Sequence, residues 1–264
     1  MNTLFADNVL IAFAICAAAG AATLLGCITV IRDDSANPRV LAFGLAFAGG
    51  AMVYVSLVEI FGKSLLSFAE VYPDKTAYTY ATASLFIGVG LLVLIDRLVP
   101  NPHARVELGT ETDRKVVSRV ALLAALAITA HNLPEGLATF FATLDNPIVG
   151  TSLAAAIAVH NIPEGVSVAV PVYYATGSKQ KAFLATLVAG LAEPVGALIG
   201  YLLLAPYLSP VTFGIVFGVI AGAMVFLALD ELLPAAKRYA QGHETVYGMV
   251  TGMAALAFSL VLFR

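Results

Sequence analysis

Apolar residues run through this chain in blocks too long for a soluble domain, and polar residues gather between the blocks. Eight blocks can be read, at about 8–31, 39–62, 78–97, 118–143, 148–174, 181–204, 211–235 and 246–263. Each holds the roughly 20 residues that an α-helix needs to cross the hydrocarbon core of a bilayer. Turn-forming clusters separate them: Asp33-Asp34-Ser35, Tyr72-Pro73-Asp74, Asn101-Pro102, Asp145-Asn146-Pro147, Gly177-Ser178 and Ser209-Pro210. The pattern predicts an all-α polytopic membrane protein, one transmembrane domain over residues 1–264. Its one sizeable loop is polar and lies at about 98–117. No Lys or Arg occurs in the first seven residues, and the first apolar run continues from Val9 to Ile31. That run reads as an uncleaved span rather than a signal peptide.

Composition agrees with the pattern. Hydrophobic residues make up 60% of the 264 and charged residues 12%, against about 25% charged in an average soluble domain. That balance excludes an ordinary globular enzyme, which needs more polar surface, and excludes disorder, which needs the opposite balance. The net charge of −3 is too small to suggest nucleic acid. Cys16 and Cys27 sit eleven positions apart in the first block. A helix would hold them about 16 Å apart along its axis, too far for a disulfide.

Lys and Arg set an expected orientation. With the N-terminus outside, the cytoplasmic side holds Arg32, Arg39, Arg97, Arg105, Arg114, Lys115, Arg119, Lys179, Lys181, Lys237 and Arg238. The external side holds only Lys63, Lys75 and Arg264. That bias follows the positive-inside rule. It places both termini outside, at the periplasmic or extracellular face, and the 98–117 loop inside.

Two internal repeats add more. Gly49 to Ile60 (GGAMVYVSLVEI) matches Ala221 to Leu232 (AGAMVFLALDEL), aligning Gly50, Ala51, Met52, Val53, Leu57 and Glu59 with Gly222, Ala223, Met224, Val225, Leu229 and Glu231. The two copies lie in spans two and seven, which cross the membrane in opposite senses. That is the mark of an inverted repeat, with binding expected near the midplane. The second repeat is HNLPEG at 131–136 and HNIPEG at 160–165, in spans four and five.

The second repeat carries the chemistry. A carboxylate at the bilayer centre costs about 2.5–3.5 kcal/mol. Glu135, Glu164 and Glu193 all fall in span interiors, so together they cost about 8–10 kcal/mol unless protons or cations compensate. His131 and Glu135 are at i and i+4, on one helix face, and His160 and Glu164 repeat this on the antiparallel neighbour. Asn132 and Asn161 add amide oxygens, and Glu193 adds a carboxylate from the next span. Pro134, Pro163 and Pro194 free the carbonyls of Ala130, Val159 and Gly190 beside these groups. Imidazole, carboxylate and amide donors without thiolate suit Zn²⁺, Fe²⁺, Mn²⁺, Co²⁺ or Cd²⁺ as bound or carried ions, in one or two sites. Met52 is a candidate soft ligand that also fits a packing role. Glu59 near the outer end of span two, and Asp230 with Glu231 near the inner end of span seven, are candidate acidic stations at the two mouths.

These residues resemble the ZIP family of divalent-metal transporters, and its bacterial branch in particular. HNLPEG, HNIPEG, AEPVG (Ala192 to Gly196) and eight spans with a longer third loop carry the resemblance, which covers essentially the whole chain. It implies a 3+2+3 helix arrangement, with spans one to three related to six to eight. It implies a binuclear site between spans four, five and six, formed by His131, Asn132, Glu135, His160, Asn161, Glu164 and Glu193. Met52 is then the span-two contribution, Glu59 an entrance residue, and Asp230 and Glu231 the exit pair. It implies import toward the cytoplasm across a bacterial inner membrane, by an elevator-type motion. The third loop is often His-rich in this family, yet here it holds only His103.

The expected function is therefore inward transport of Zn²⁺ and related divalent cations by alternating access, with no catalytic cofactor. The expected partners are those cations and the lipid bilayer, with a homodimer left open and no nucleic acid. Two rivals stay open on these residues: an intramembrane di-metal enzyme with a free coordination position, and a channel-like pore through the same site.

Overall fold

The computed structural model describes residues 7–28, 38–98 and 114–262. Among the described residues there are helices and no strands. Helix α1 (Asp7–Ala21) runs into a 3₁₀ turn at Ala22–Gly26. Helix α2 (Pro38–Tyr54) passes through a π-helical segment, Val55–Ile60, into α3 (Phe61–Ala69). Helices α4 (Asp74–Leu98), α5 (Arg114–Asp145), α6 (Pro147–Thr176) and α7 (Lys179–Leu204) follow. Helix α8 (Pro210–Leu227) passes through a second π segment, Ala228–Leu232, into α9 (Leu233–Tyr239), and α10 is Glu244–Leu262.

Seven described units are long and apolar enough to cross a membrane: Asn8–Gly26, Ala42–Ala69, Asp74–Leu94, Pro147–Val170, Lys179–Tyr207, Pro210–Tyr239 and Glu244–Leu262. Helix α5, 32 residues long, carries the first polar motif. The chain is a polytopic helical membrane protein. Most of the loop expected at 98–117, with His103, lies outside the described residues, and its last four residues are already helical. Cys16 and Cys27 are buried free thiols, as their spacing requires.

Spans two and seven extend beyond their apolar runs. The second continues to Ala69 although Lys63, Ser64 and Ser67 interrupt the pattern. Those polar residues are buried: Ser64 Oγ donates to Gly214 O on α8 at 2.6 Å, and Lys63 Nζ reaches Asp145 of α5 at 3.6 Å. Partners on neighbouring helices satisfy Lys63 and Ser64, so the helix does not stop there. Glu59 is consequently not at a helix end. It is 5% exposed and sits inside the π segment.

The repeats fold into matching parts. The two π segments fall at aligned positions, one carrying Glu59 and the other Asp230 and Glu231. Helix α2 packs along α10, and α8 packs along α4. A Cβ on Gly50 would run into the Met249 main chain on α10, and one on its repeat partner Gly222 into the Leu85 main chain on α4. Each pair of helices thus touches backbone to backbone at an equivalent glycine, the packing that small residues permit in membranes. Helices α1 and α7 also pack together, and both flank α5 and α6.

Candidate metal centre

Two tight turns bring the motif helices side by side. Asn146 caps α6, its side chain accepting from Ile148 N at 3.1 Å and Val149 N at 3.3 Å, with Pro147 at the first helical position. Helix α5 ends one residue earlier, so α5 and α6 form an antiparallel hairpin. Gly177 closes α6 with φ of 65°, which glycine adopts without strain, and Ser178 caps α7. Three consecutive helices are therefore adjacent, and their polar motifs meet.

The meeting is close. His160 Nε2 on α6 lies 3.1 Å from Glu135 Oε1 on α5 and 3.8 Å from Glu164 Oε1 on its own helix. One ligand atom from each of the three residues lies within 4.8 Å of the others. All three side chains are fully buried. Helices α5 and α6 pass through Pro134 and Pro163 without breaking. Nitrogen and oxygen donors at these separations could hold one cation.

The amides extend it. Asn161 Nδ2 donates to Ala19 O on α1 at 2.9 Å and to Glu193 Oε1 on α7 at 2.5 Å. Asn132 Nδ2 donates to Ala189 O on α7 at 3.0 Å. Both amide nitrogens are committed to acceptors, which orients both oxygens away from them. Asn132 Oδ1, Asn161 Oδ1 and Glu193 Oε2 are buried with no hydrogen-bond partner among the described residues. Buried oxygens without donors are costly, and oxygens left open in this way could take a cation.

The helices approach closely enough for this because of glycine. A Cβ on Gly136 would strike the Glu193 main chain, and one on Gly165 the Thr23 main chain. A cavity of about 30 Å³ touches His160 between α2, α6 and α10, beside Ala51 and Ser259.

The structure thus unites Glu135, His160 and Glu164, and joins Asn161 to Glu193. Asn132 stands three residues before Glu135 on α5. His131 is one helical turn before Glu135, and its side chain lies outside those described. Met52 is fully buried in the core. Glu59, Asp230 and Glu231 stand apart in the π segments, the last two half-buried. Sequence reasoning passed over Thr23 and counted Lys63 only as an external charge. Lys63 is 8% exposed, pairs with Asp145 and lies 5.7 Å above the Phe217 ring. Its spacing of four from Glu59 was the available signal.

Residues 99–260 match the family described as ZIP Zinc transporter. A protein named Zinc transporter ZupT from Stenotrophomonas maltophilia (strain R551-3) is 62% identical over 98% of this chain and 97% of its own length. One of the same name from Neisseria meningitidis serogroup B (strain ATCC BAA-335 / MC58) is also 62% identical, with the same coverage. The one from Chlorobium chlorochromatii (strain CaD3) is 45% identical over 97% of this chain and 99% of its own.

Proposed function

The chain belongs to the ZIP family of zinc transporters, and from that premise we propose that it carries Zn²⁺ into the cytoplasm by alternating access. It is a transporter rather than an enzyme. The observation that carries the reading is the buried Glu135–His160–Glu164 cluster, set between helices of a membrane protein. Two carboxylates and an imidazole in a dry interior need a cation or protons to be tolerated.

The finer reading is a pair of adjacent metal positions. Glu135, His160 and Glu164, with His131 and Met52, would serve one. Asn132, Asn161 and Glu193, sharing Glu135 and Glu164, would serve the other. These donors also accept Fe²⁺, Mn²⁺, Co²⁺ and Cd²⁺ on chemical grounds. The helices form eight spans in a 3+2+3 arrangement, α5 included; the aligned π segments and the equivalent glycine contacts support it. The surplus of Lys and Arg on one side supports an inner-membrane orientation with both termini outside. Glu59 would receive the ion and Asp230 with Glu231 would pass it on. Protons and metal compete for the same lone pairs, so local protonation would assist release.

Zinc uptake into proteoliposomes tests this. Glu135→Ala and Glu164→Ala are expected to lower uptake by at least about 10- to 100-fold, the range for losing even the partners that orient metal ligands. Wild-type uptake by both variants would sink the proposal.

A further inference from the structure

The exchange that relates the two ends of the chain reaches the metal centre, and there it is broken at one position. Ala19 accepts from Asn161, and Ala189 accepts from Asn132; these two carbonyls stand 170 positions apart. Thr23 and Glu193 are also 170 apart. A Cβ on Gly20 would lie 3.4 Å from Glu193 Cβ, and one on Gly190, again 170 later, 3.4 Å from Thr23 Cβ. Gly165 abuts the Thr23 main chain as Gly136 abuts that of Glu193. Thr23 therefore stands toward α6 and Gly190 as Glu193 stands toward α5 and Gly20.

The Thr23 side chain is fully buried, and its Oγ1 has no hydrogen-bond partner among the described residues. A helical threonine ordinarily donates to the carbonyl four residues earlier. Thr143, Thr176 and Thr186 do so here, at 2.7, 2.7 and 2.9 Å. For Thr23 that carbonyl is Ala19 O, which takes the Asn161 amide instead. The helix also tightens to 3₁₀ geometry at Ala22–Gly26, around Thr23. Asn132 Oδ1 is likewise buried without a donor among the described residues. Asn161 Oδ1 and Glu193 Oε2 are open in the same way, so the two arrangements differ in a hydroxyl at Thr23 against a carboxylate at Glu193.

We propose that Thr23 is a binding residue of the cation path, presenting a neutral hydroxyl oxygen to the ion at the counterpart of the Glu193 position. The inference rests on the transport reading above. Its physical content is a limit on charge. Glu135, Glu164 and Glu193 supply three carboxylates, and a fully symmetric site would supply a fourth. A carrier must bind its ion yet release it. A hydroxyl contributes an oxygen donor without the added attraction that would slow release.

The test uses the full-length protein, with Zn²⁺ binding by equilibrium dialysis in detergent and Zn²⁺ uptake in proteoliposomes. Thr23→Val removes the hydroxyl at constant shape and is expected to weaken Zn²⁺ binding and raise KM by about 2- to 10-fold, the factor one hydrogen-bonding contact supplies. Thr23→Ser should restore both. Thr23→Asp should bind Zn²⁺ more tightly than wild type while turning over more slowly. Wild-type binding and KM in Thr23→Val would overturn the proposal, as would a Thr23→Ser variant no better than Thr23→Val. If Thr23→Asp does not fold, the Val and Ser pair still decides. Dialysis reads Thr23 even if wild-type protein transports nothing, an outcome that would refute the transport reading alone.

Discussion

His160 on α6 lies closer to Glu135 of the neighbouring helix, at 3.1 Å, than to Glu164 of its own, at 3.8 Å. The imidazole is thus the link between the two motif helices. Replacing it with alanine takes the imidazole contact from two buried carboxylates. Removing one member of a buried pair costs about 3–5 kcal/mol. His160→Ala should lower the unfolding temperature, and saturating Zn²⁺ should recover less than in wild type. Thermal unfolding with and without Zn²⁺ checks this; equal zinc-induced shifts in both proteins would count against it.

Asn161 ties Glu193 to Ala19 through one amide nitrogen. Asn161→Asp replaces that donor with an acceptor and sets a carboxylate against a carboxylate in a dry site. The variant should be less stable than Asn161→Ala at neutral pH. The gap should narrow as pH falls and the pair takes up a proton, because protonation restores a donor. Stability curves of the two variants across pH measure it. A gap that widens on acidification would refute the contact.

Gly136 and Gly165 occupy equivalent helix crossings, each against another helix's main chain. Backbone cannot step aside as a side chain can. Gly136→Ala and Gly165→Ala should each destabilise by about 1–3 kcal/mol or more, and by similar amounts. The Gly62→Ala control, with open space around it, should behave as wild type. The folded fraction by size-exclusion chromatography reads all three.

Lys63 and Asp145 are unequal partners, with side chains 9% and 43% exposed. Losing the lysine leaves a carboxylate that water can reach. Losing the aspartate leaves a buried ammonium above the Phe217 ring without its carboxylate. Asp145→Ala should therefore cost about 2–3 kcal/mol and Lys63→Met under about 1 kcal/mol. The double variant should resemble Lys63→Met. A double-mutant cycle gives the answer, and equal costs for the two single changes would contradict it.

The class of the fold was legible in the sequence because a bilayer permits few solutions. Long apolar blocks must be helices there, since every backbone group has to be satisfied internally. The candidate centre was legible because His, Asn and Glu recur at the same spacing in two blocks where charge is costly, and i, i+4 spacing alone puts His160 and Glu164 on one face. Boundaries were less legible. Lys63, Ser64 and Ser67 look like the end of a span, yet partners on α5 and α8 satisfy Lys63 and Ser64 and carry the helix on to Ala69.

Local pattern by itself thus determined membrane helices, their repeats and the donor types. Tertiary structure alone decided which donors meet. Glu135 faces His160 across a helix interface, Asn161 reaches Glu193 thirty-two positions away, and Ala19 supplies a carbonyl from 142 positions earlier in the chain. It also exposed Thr23, an ordinary residue in a helical run, as the counterpart of Glu193. No local signal marks such a residue, because its position depends on how helices far apart in the chain cross, and glycines at those crossings set how closely they approach.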